Sequence, residues 1–160
     1  MTDEFVLRPA GSADLEGVTA LAGSRERAEV RLMAAERGDE STLVAEVVGG
    51  IVGVVSVRWD EGCDPPNPWL YGLQVSPEHR RLGLGRSLVR AIEDAASQRG
   101  ADQVSLDVDL DDDAGTRFYE DLGYVPLGAH QHHWRSLDPH TGAVLDEGTN
   151  PTLIMRRALR

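Results

Sequence analysis

Arg80-Arg81-Leu82-Gly83-Leu84-Gly85-Arg86 stands between an apolar run of strand length, Leu70 to Val75, and a segment in which Leu88, Val89, Ile92, Ala95 and Ala96 recur at helical spacing. Ser76-Pro77-Glu78 marks a turn between the run and the arginines. The glycines therefore open a helix. The first turn of a helix carries unpaired N–H groups and a partial positive charge, and glycine lets a phosphate approach that backbone closely. Arg80, Arg81 and Arg86 add charge where a pyrophosphate would need it, so the segment reads as a phosphate cradle; its plain alternative is a turn followed by a helix start.

Two familiar phosphate motifs fail on the residues. A P-loop needs Gly-Lys followed by Ser or Thr, and all 16 basic residues of this chain are arginine. A dinucleotide fingerprint needs a third glycine where Leu88 stands, and it normally occupies the first strand-helix unit of a fold.

Downstream, Leu106-Asp107-Val108 is followed by Asp112, Gly115, Phe118-Tyr119-Glu120-Asp121 and Leu122-Gly123-Tyr124. In order and separation, the two blocks together resemble the GNAT superfamily of N-acetyltransferases. Arg80, Gly83 and Gly85 match its acyl-CoA loop, and the second block matches its strand, helix and closing "FYE-x-LGY" segment. Two departures stand out: the family often has asparagine where this chain has Asp112, and alanine where it has Gly115. An ionised aspartate accepts hydrogen bonds but cannot donate them.

The remaining segments extend the likeness over most of the chain. Phe5 to Arg8 reads as a strand, Ser12 as the cap of a helix through Ala22, and Arg25 to Arg37 as a second helix. Leu43 to Val48 and Ile51 to Val57, joined at Gly49-Gly50, form a β-hairpin signal. After the glycine loop and its helix come a strand from Val104 to Leu110, a helix around Ala114 to Leu122, and strands near Tyr124 and over Thr152 to Arg156. This is a mixed α/β fold with a mainly antiparallel central sheet flanked by helices, in a single domain over residues 1–160. The resemblance implies that the strands ending at Val75 and Leu110 splay apart. Leu127 to Asn150 reads as a long final connection with a turn at Asp138-Pro139-His140-Thr141-Gly142, of the kind that often carries specificity.

The net charge of −11 argues against nucleic acid or anionic membrane as a partner and allows a cationic substrate. No secretory leader or membrane-length apolar run is visible, so a cytoplasmic protein is expected. The single cysteine, Cys63, cannot form an internal disulfide and reads as an ordinary loop thiol.

The resemblance implies acetyl-CoA as co-substrate and transfer of its acetyl group to a primary amine, on a small molecule or at a peptide amino terminus, by direct attack on the thioester. It also allows a homodimer. An acyl-CoA-binding sensor of the same fold with little activity is the alternative. By the same resemblance, acetyl-CoA is held by Leu73 and Val75 on the strand, by Arg80, Arg81, Leu82, Gly83, Leu84, Gly85, Arg86 and Ser87 in the loop and helix start, and by Asp112. Tyr119 takes the general-acid position, and the backbone N–H of Val75 is the oxyanion donor.

No base is assigned. Pro68 to Ser76 contains no acid where many relatives carry a glutamate. Asp107 and Asp109 alternate with Val104, Leu106, Val108 and Leu110 and so point away from the apolar face, either into an acceptor cleft or into solvent. Tyr71 or a water chain is a further option. His130, His132 and His133, with His140 nearby, do not follow a recognised zinc spacing, and no metal is expected.

Overall fold

The structure is a computed structural model that describes residues 4–59, 68–80 and 82–159. Cys63, the stretch 64–67 and Arg81 lie outside the described residues. In chain order the elements are β1 (Val6–Pro9), α1 (Leu15–Ala22), α2 (Arg25–Arg37), β2 (Glu40–Val47), β3 (Gly50–Arg58), β4 (Trp69–Val75), α3 (Leu84–Gln98), β5 (Gln103–Asp109), α4 (Asp113–Asp121), β6 (Val125–Leu137) and β7 (Val144–Ala158). Among the described residues they build a seven-stranded sheet of order β1-β2-β3-β4-β5-β7-β6. Only β4 and β5 run parallel, because α3 is the crossover that joins them.

The side-chain alternation of the strands places helices on both faces. Val44 and Val54 join Val18 of α1 and Ala28 of α2 in a small cluster on one face. Ala45, Val55 and Val57 join Leu84, Leu88, Val89, Ile92 and Ala96 of α3 in the main core, which also takes Val104, Leu106 and Val108 of β5. Full burial of each Leu, Ile or Val side chain there contributes about 1.5–3 kcal/mol. Asp107 and Asp109, at alternate positions of β5, are thereby directed to the face that carries α1 and α2.

Three local readings need correction. Val47 pairs with Gly50, so the β2–β3 turn is Val48-Gly49, one residue earlier than expected. Ser12 does not cap α1; it opens a 3-10 turn, Ser12–Asp14, and the group that binds the entering chain is the Asp14 carboxylate, which accepts from Gly11 N at 2.8 Å. Most consequential, Leu127 to Asn150 is not an irregular connection: β6 and β7 pair from Val125↔Arg156 out to Leu137↔Val144 as one long antiparallel arm. The turn inside it is as read, with Asp138 Oδ1 accepting from His140 N and Thr141 N and Gly142 at φ +75°. The arm lies against α2, where the Arg27 guanidinium sits 5.6 Å from the Trp134 ring centre and His140 Nε2 lies 3.3 Å from Glu29.

Among the described residues no helix is long and apolar enough to cross a membrane.

The entry to α1 gives a pH-dependent stability. Arg8 grips Asp14 with both Nη atoms, at 2.9 and 2.8 Å, and these bonds hold the carboxyl below its ordinary range against the opposing effect of burial. A carboxyl depressed in the folded state contributes stability above its unfolded pKa of about 4, which is lost as pH falls through the folded value. Asp14→Asn should be less stable than the parent by about 1 kcal/mol at pH 7, with the gap closing in urea melts run below pH 4.

Candidate active site

The site begins with a fault in the sheet. β3 and β4 pair as Arg58↔Trp69 and Ser56↔Tyr71, then shift so that Val54 faces Gln74 and Gly53 faces Val75. β4 therefore holds one residue more than β3 across this stretch, a β-bulge with Gly72 at φ +67°. A Cβ at Gly72 would lie 2.8 Å from Arg31 Cζ. Arg31 of α2 is buried, donates from Nη2 to the Gly72 carbonyl at 3.1 Å, and donates from Nε and Nη2 to Ser56 Oγ at 3.0 and 2.8 Å. On its other edge β4 meets β5 only at Trp69↔Ser105. Beyond that pair the two strands part, and among the described residues the β5-facing edge of β4 has no strand partner.

Two clefts flank this gap and share Leu73 and Gln74. One, of about 770 Å³, is lined by Val75, Arg80, Gly83, Leu84, Gly85, Arg86 and Phe118 among others. The other, of about 710 Å³, opens toward α2 and the β6–β7 arm and contains Tyr71, Asp107, Tyr119 and His132.

The first cleft presents unpaired donors and arginine charge. Gly83 precedes α3 at φ +82° with open space around its Cα, a conformation that glycine adopts without strain. The first turn's bond runs from Ser87 N to Gly83 O at 3.0 Å, which leaves the N–H groups of Leu84, Gly85 and Arg86 without helical acceptors. Gly85 has a second reason to be glycine: its Cβ would lie 3.3 Å from Phe118 Cζ.

That contact joins the two sequence blocks. Phe118 meets Tyr119 edge to face at 5.0 Å, and Tyr119 meets Tyr124 likewise at 5.6 Å. Tyr124 is anchored through its hydroxyl to buried Glu93 of α3 at 2.8 Å, and Arg90 and Arg157 neutralise that carboxylate at 2.7 and 2.9 Å. The Tyr119 ring is thus held between two aromatic neighbours. Among the described residues its hydroxyl has no hydrogen-bond partner, and burial, assisted by the Asp112 charge, pushes its pKa well above the ordinary tyrosine value.

The second cleft has an ordered set of charges. Tyr71 donates its hydroxyl to Glu40, and the guanidinium carbons of Arg31 and Arg58 each lie 5.3 Å from its ring centre. Burial raises the Tyr71 phenol and the Glu40 carboxyl alike, so Tyr71 is a donor here and not a proton acceptor. Asp107 and Asp109 both line the cleft, Asp107 half-buried and Asp109 exposed. Asp109 is held by Asn150 Nδ2 at 2.6 Å, and Asp107 Oδ2 lies 2.9 Å from His132 Nδ1. Burial works to raise the Asp107 carboxyl, but His132 beside it, with Thr152 and His130, outweighs burial and holds the group low. His132 is raised in turn, chiefly by the Asp107 carboxylate next to it.

Leu73, Val75, Arg80, Gly83, Leu84, Gly85 and Arg86 thus gather on one cleft and Tyr119 stands on the other. Arg80 also donates from Nε to the Val75 carbonyl at 3.3 Å. Leu82 is exposed and Ser87 half-buried; neither lines the cleft, while Arg81 lies outside the described residues. Asp112 lines the Tyr119 cleft rather than the anion cleft, and its Oδ1 caps α4 by accepting from Gly115 N at 2.9 Å. A Cβ at Gly115 would run into that carboxylate, so the two departures from the family pattern fit as a pair. Among the described residues no three potential metal ligands come together. Sequence reasoning missed Arg31, Arg58, Glu40 and Gln74, which carry no local motif, and missed that β6 returns His132 to Asp107.

Comparison with known proteins agrees with this geometry. The family model described as "Acetyltransferase (GNAT) family" matches residues 14–124. Mycothiol acetyltransferase of Thermobispora bispora is 40% identical over 88 residues, 51% of this chain and 29% of that protein. The [ribosomal protein bS18]-alanine N-acetyltransferase of Escherichia coli is 28% identical over 76 residues, 48% of this chain and 51% of that protein. The chain thus spans about half or less of the length of these curated relatives. In fold, it superposes with a TM-score of 0.71 on yncA, a putative acetyltransferase of Salmonella typhimurium solved with its cofactor acetyl-CoA, at 20% identity and over 98% of this chain and 94% of that one.

The contact between Gly85 and Phe118 is open to direct measurement. Gly85→Val puts branched carbons where the ring lies and should cost about 1–3 kcal/mol by overpacking. Urea denaturation of G85V, Phe118→Leu and the double variant should show partial recovery in the double, since neighbours in contact do not add independently.

Proposed function

The chain belongs to the acetyltransferase (GNAT) family, and from that membership we propose that it transfers the acetyl group of acetyl-CoA to a primary amine, on a small molecule or at a peptide amino terminus, by direct attack on the thioester. The observation that carries this reading is the meeting of two clefts at Leu73 and Gln74 in the gap between β4 and β5. One cleft suits a pyrophosphate and the other a polar acceptor. Bound acetyl-CoA would supply the acyl group as a thioester, with its phosphates on the N–H groups of Leu84, Gly85 and Arg86 and on the Arg80 and Arg86 side chains. Its pantetheine arm would run along the unpaired edge of β4 at Leu73 and Val75.

The chain's own groups then answer the needs of the reaction. Tyr119 is the donor for the departing sulfur. A phenol held above its ordinary value of about 10 remains protonated, and full transfer to a thiolate of pKa about 8.5 is uphill, so Tyr119 acts chiefly by hydrogen bonding to the sulfur as charge develops there. Val75, which lines the anion-side cleft, is the candidate oxyanion donor through its backbone N–H. The acceptor must be neutral to attack: an alkylamine is only about 0.1% neutral at pH 7, a deficit of about 4 kcal/mol. The second cleft brings carboxylates and a histidine together where that deficit is to be met.

Calorimetry and thiol release test the reading together. Acetyl-CoA should bind the parent protein and fail to bind Gly83→Asp, which places a like charge and a strained φ at the cradle. A panel of amines should then drive release of free CoA, and Tyr119→Phe should slow that release by roughly 10- to 10³-fold while still binding acetyl-CoA. Binding without amine-dependent release would mark a sensor of the same fold, and no binding would sink the assignment of the cleft.

A further inference from the structure

We propose that His132, oriented by Asp107, is the base that takes the proton from the acceptor ammonium. This rests on the reading above and names a group that neither the loop motif nor the family match assigns. The carboxyl groups and Tyr71 in the acceptor cleft are otherwise engaged. Tyr71 donates to Glu40, and Glu40 stands at the start of β2, two strands removed from the gap. Asp109 is bound by Asn150, and Asp112 caps α4. His132 differs from all of these: its Nδ1 lies 2.9 Å from Asp107 Oδ2, and among the described residues its Nε2 has no partner.

Among the described residues Asp107 Oδ2 is buried and takes no aligned hydrogen bond, so the 2.9 Å approach of His132 Nδ1 is a charge contact; a carboxylate so placed favours the proton on Nδ1 and leaves the Nε2 lone pair as the free basic site. It also turns the ring, which projects from β6 across β7, toward β5 and the gap. The side chains are half-buried, with 29% and 13% of their surfaces exposed for His132 and Asp107, so solvent reaches the pair and can carry the proton away. Asp107 and Asp109 of β5 favour the charged imidazole, and Arg58 of β3 opposes it; His130 of β6 adds charge beside Asp107. The arrangement is an oriented imidazole whose basicity the carboxylate enhances.

The step balances as follows. The ammonium gives one proton to Nε2, and the freed lone pair forms the bond to the acyl carbon as the carbon–sulfur bond breaks and its electron pair passes to sulfur. The second proton leaving nitrogen balances the thiolate, giving a thiol, and the proton on His132 returns to water. The products are the amide, free CoA and one proton.

Two readouts test this, one without catalysis. Imidazole ring signals followed by NMR across pH in the ligand-free protein, with His132→Gln to assign the signal, should show His132 titrating above the ordinary 6.5, and Asp107→Asn should bring it down. In amine-dependent thiol release, the parent's kcat/KM should rise with pH along a limb that matches that titration. H132Q should lose the limb and fall by roughly 10- to 10³-fold at pH 7, with the deficit shrinking as pH approaches the amine's own pKa, while acetyl-CoA binding and Tm stay unchanged. His132→Ala should recover part of its rate with added imidazole, which a structural role for the ring would not allow. A limb and rate retained in H132Q, or a His132 titration that D107N leaves in place, would overturn the base role alone. Parent protein that binds acetyl-CoA yet releases no thiol with any amine would overturn the parent reading and the base role with it.

Discussion

A buried guanidinium holds the site open. Arg31 has 7% of its surface exposed and faces no directly bonded carboxylate; its hydrogen-bond acceptors are a serine hydroxyl and the carbonyl of Gly72. Taking such a charge out of water costs several kcal/mol, and burial lowers its pKa accordingly, although arginine stays protonated. The compensation comes from Ser56, itself bonded to Thr42 at 2.7 Å, from the Gly72 carbonyl and from the face of Tyr71. Those partners lie on β2, β3 and β4. Arg31 therefore pins the bulge at the place where β4 leaves β5, and the gap between them follows from that fixed register.

The second constraint is packing between segments far apart in the chain. Gly85 opens the anion cleft and also makes room for Phe118, whose neighbour Tyr119 must reach the acceptor side of the gap. The ring of Tyr124 closes this stack, and its hydroxyl is tied to Glu93 on the same helix that Gly85 begins. A loop residue, a helix and the Tyr119 ring are thus one packed unit, and Gly123, at φ +100°, lets the chain turn from α4 into it. The glycine loop and the aromatic block each complete the other's wall.

The parts of this protein that were legible in its sequence are those whose physics is local. The glycine loop opens α3, β5 alternates as Val104, Leu106 and Val108 require, and Asp138 to Gly142 turns the chain, since turn chemistry acts over a few residues. The β6–β7 arm was not legible because its half-buried positions include His130, His132 and Ser136, while Val125, Leu127, Val144 and Leu145 face solvent, so no apolar alternation reports the strand. Its register then hid the contact between His132 and Asp107, as α2 hid the contact between Arg31 and Gly72. The clustered histidines were visible, but the strand that separates His132 from His133 by face, and gives only the former a carboxylate, was not.

The charges left in the acceptor cleft give the proton a direction. Tyr119 is driven up by burial and stays a donor, while Asp107 is driven down by His132 and stays ionised. Between those limits His132 is raised above its ordinary value, chiefly by the Asp107 carboxylate beside it. Environments that push titratable groups apart assign acid and base roles without any change in residue type. The separation also has a spatial sense. Tyr119 comes from the element after β5 and stands by the gap where the sulfur would lie, whereas His132 comes from the arm that covers the acceptor side. A proton taken from an amine by the arm and a hydrogen bond given to sulfur from α4 require no group to serve twice in one turnover. The arm that the sequence concealed is therefore the element that closes the polar cleft, and the helix that it declared most plainly is the one whose first turn opens the cleft on the other side of the gap.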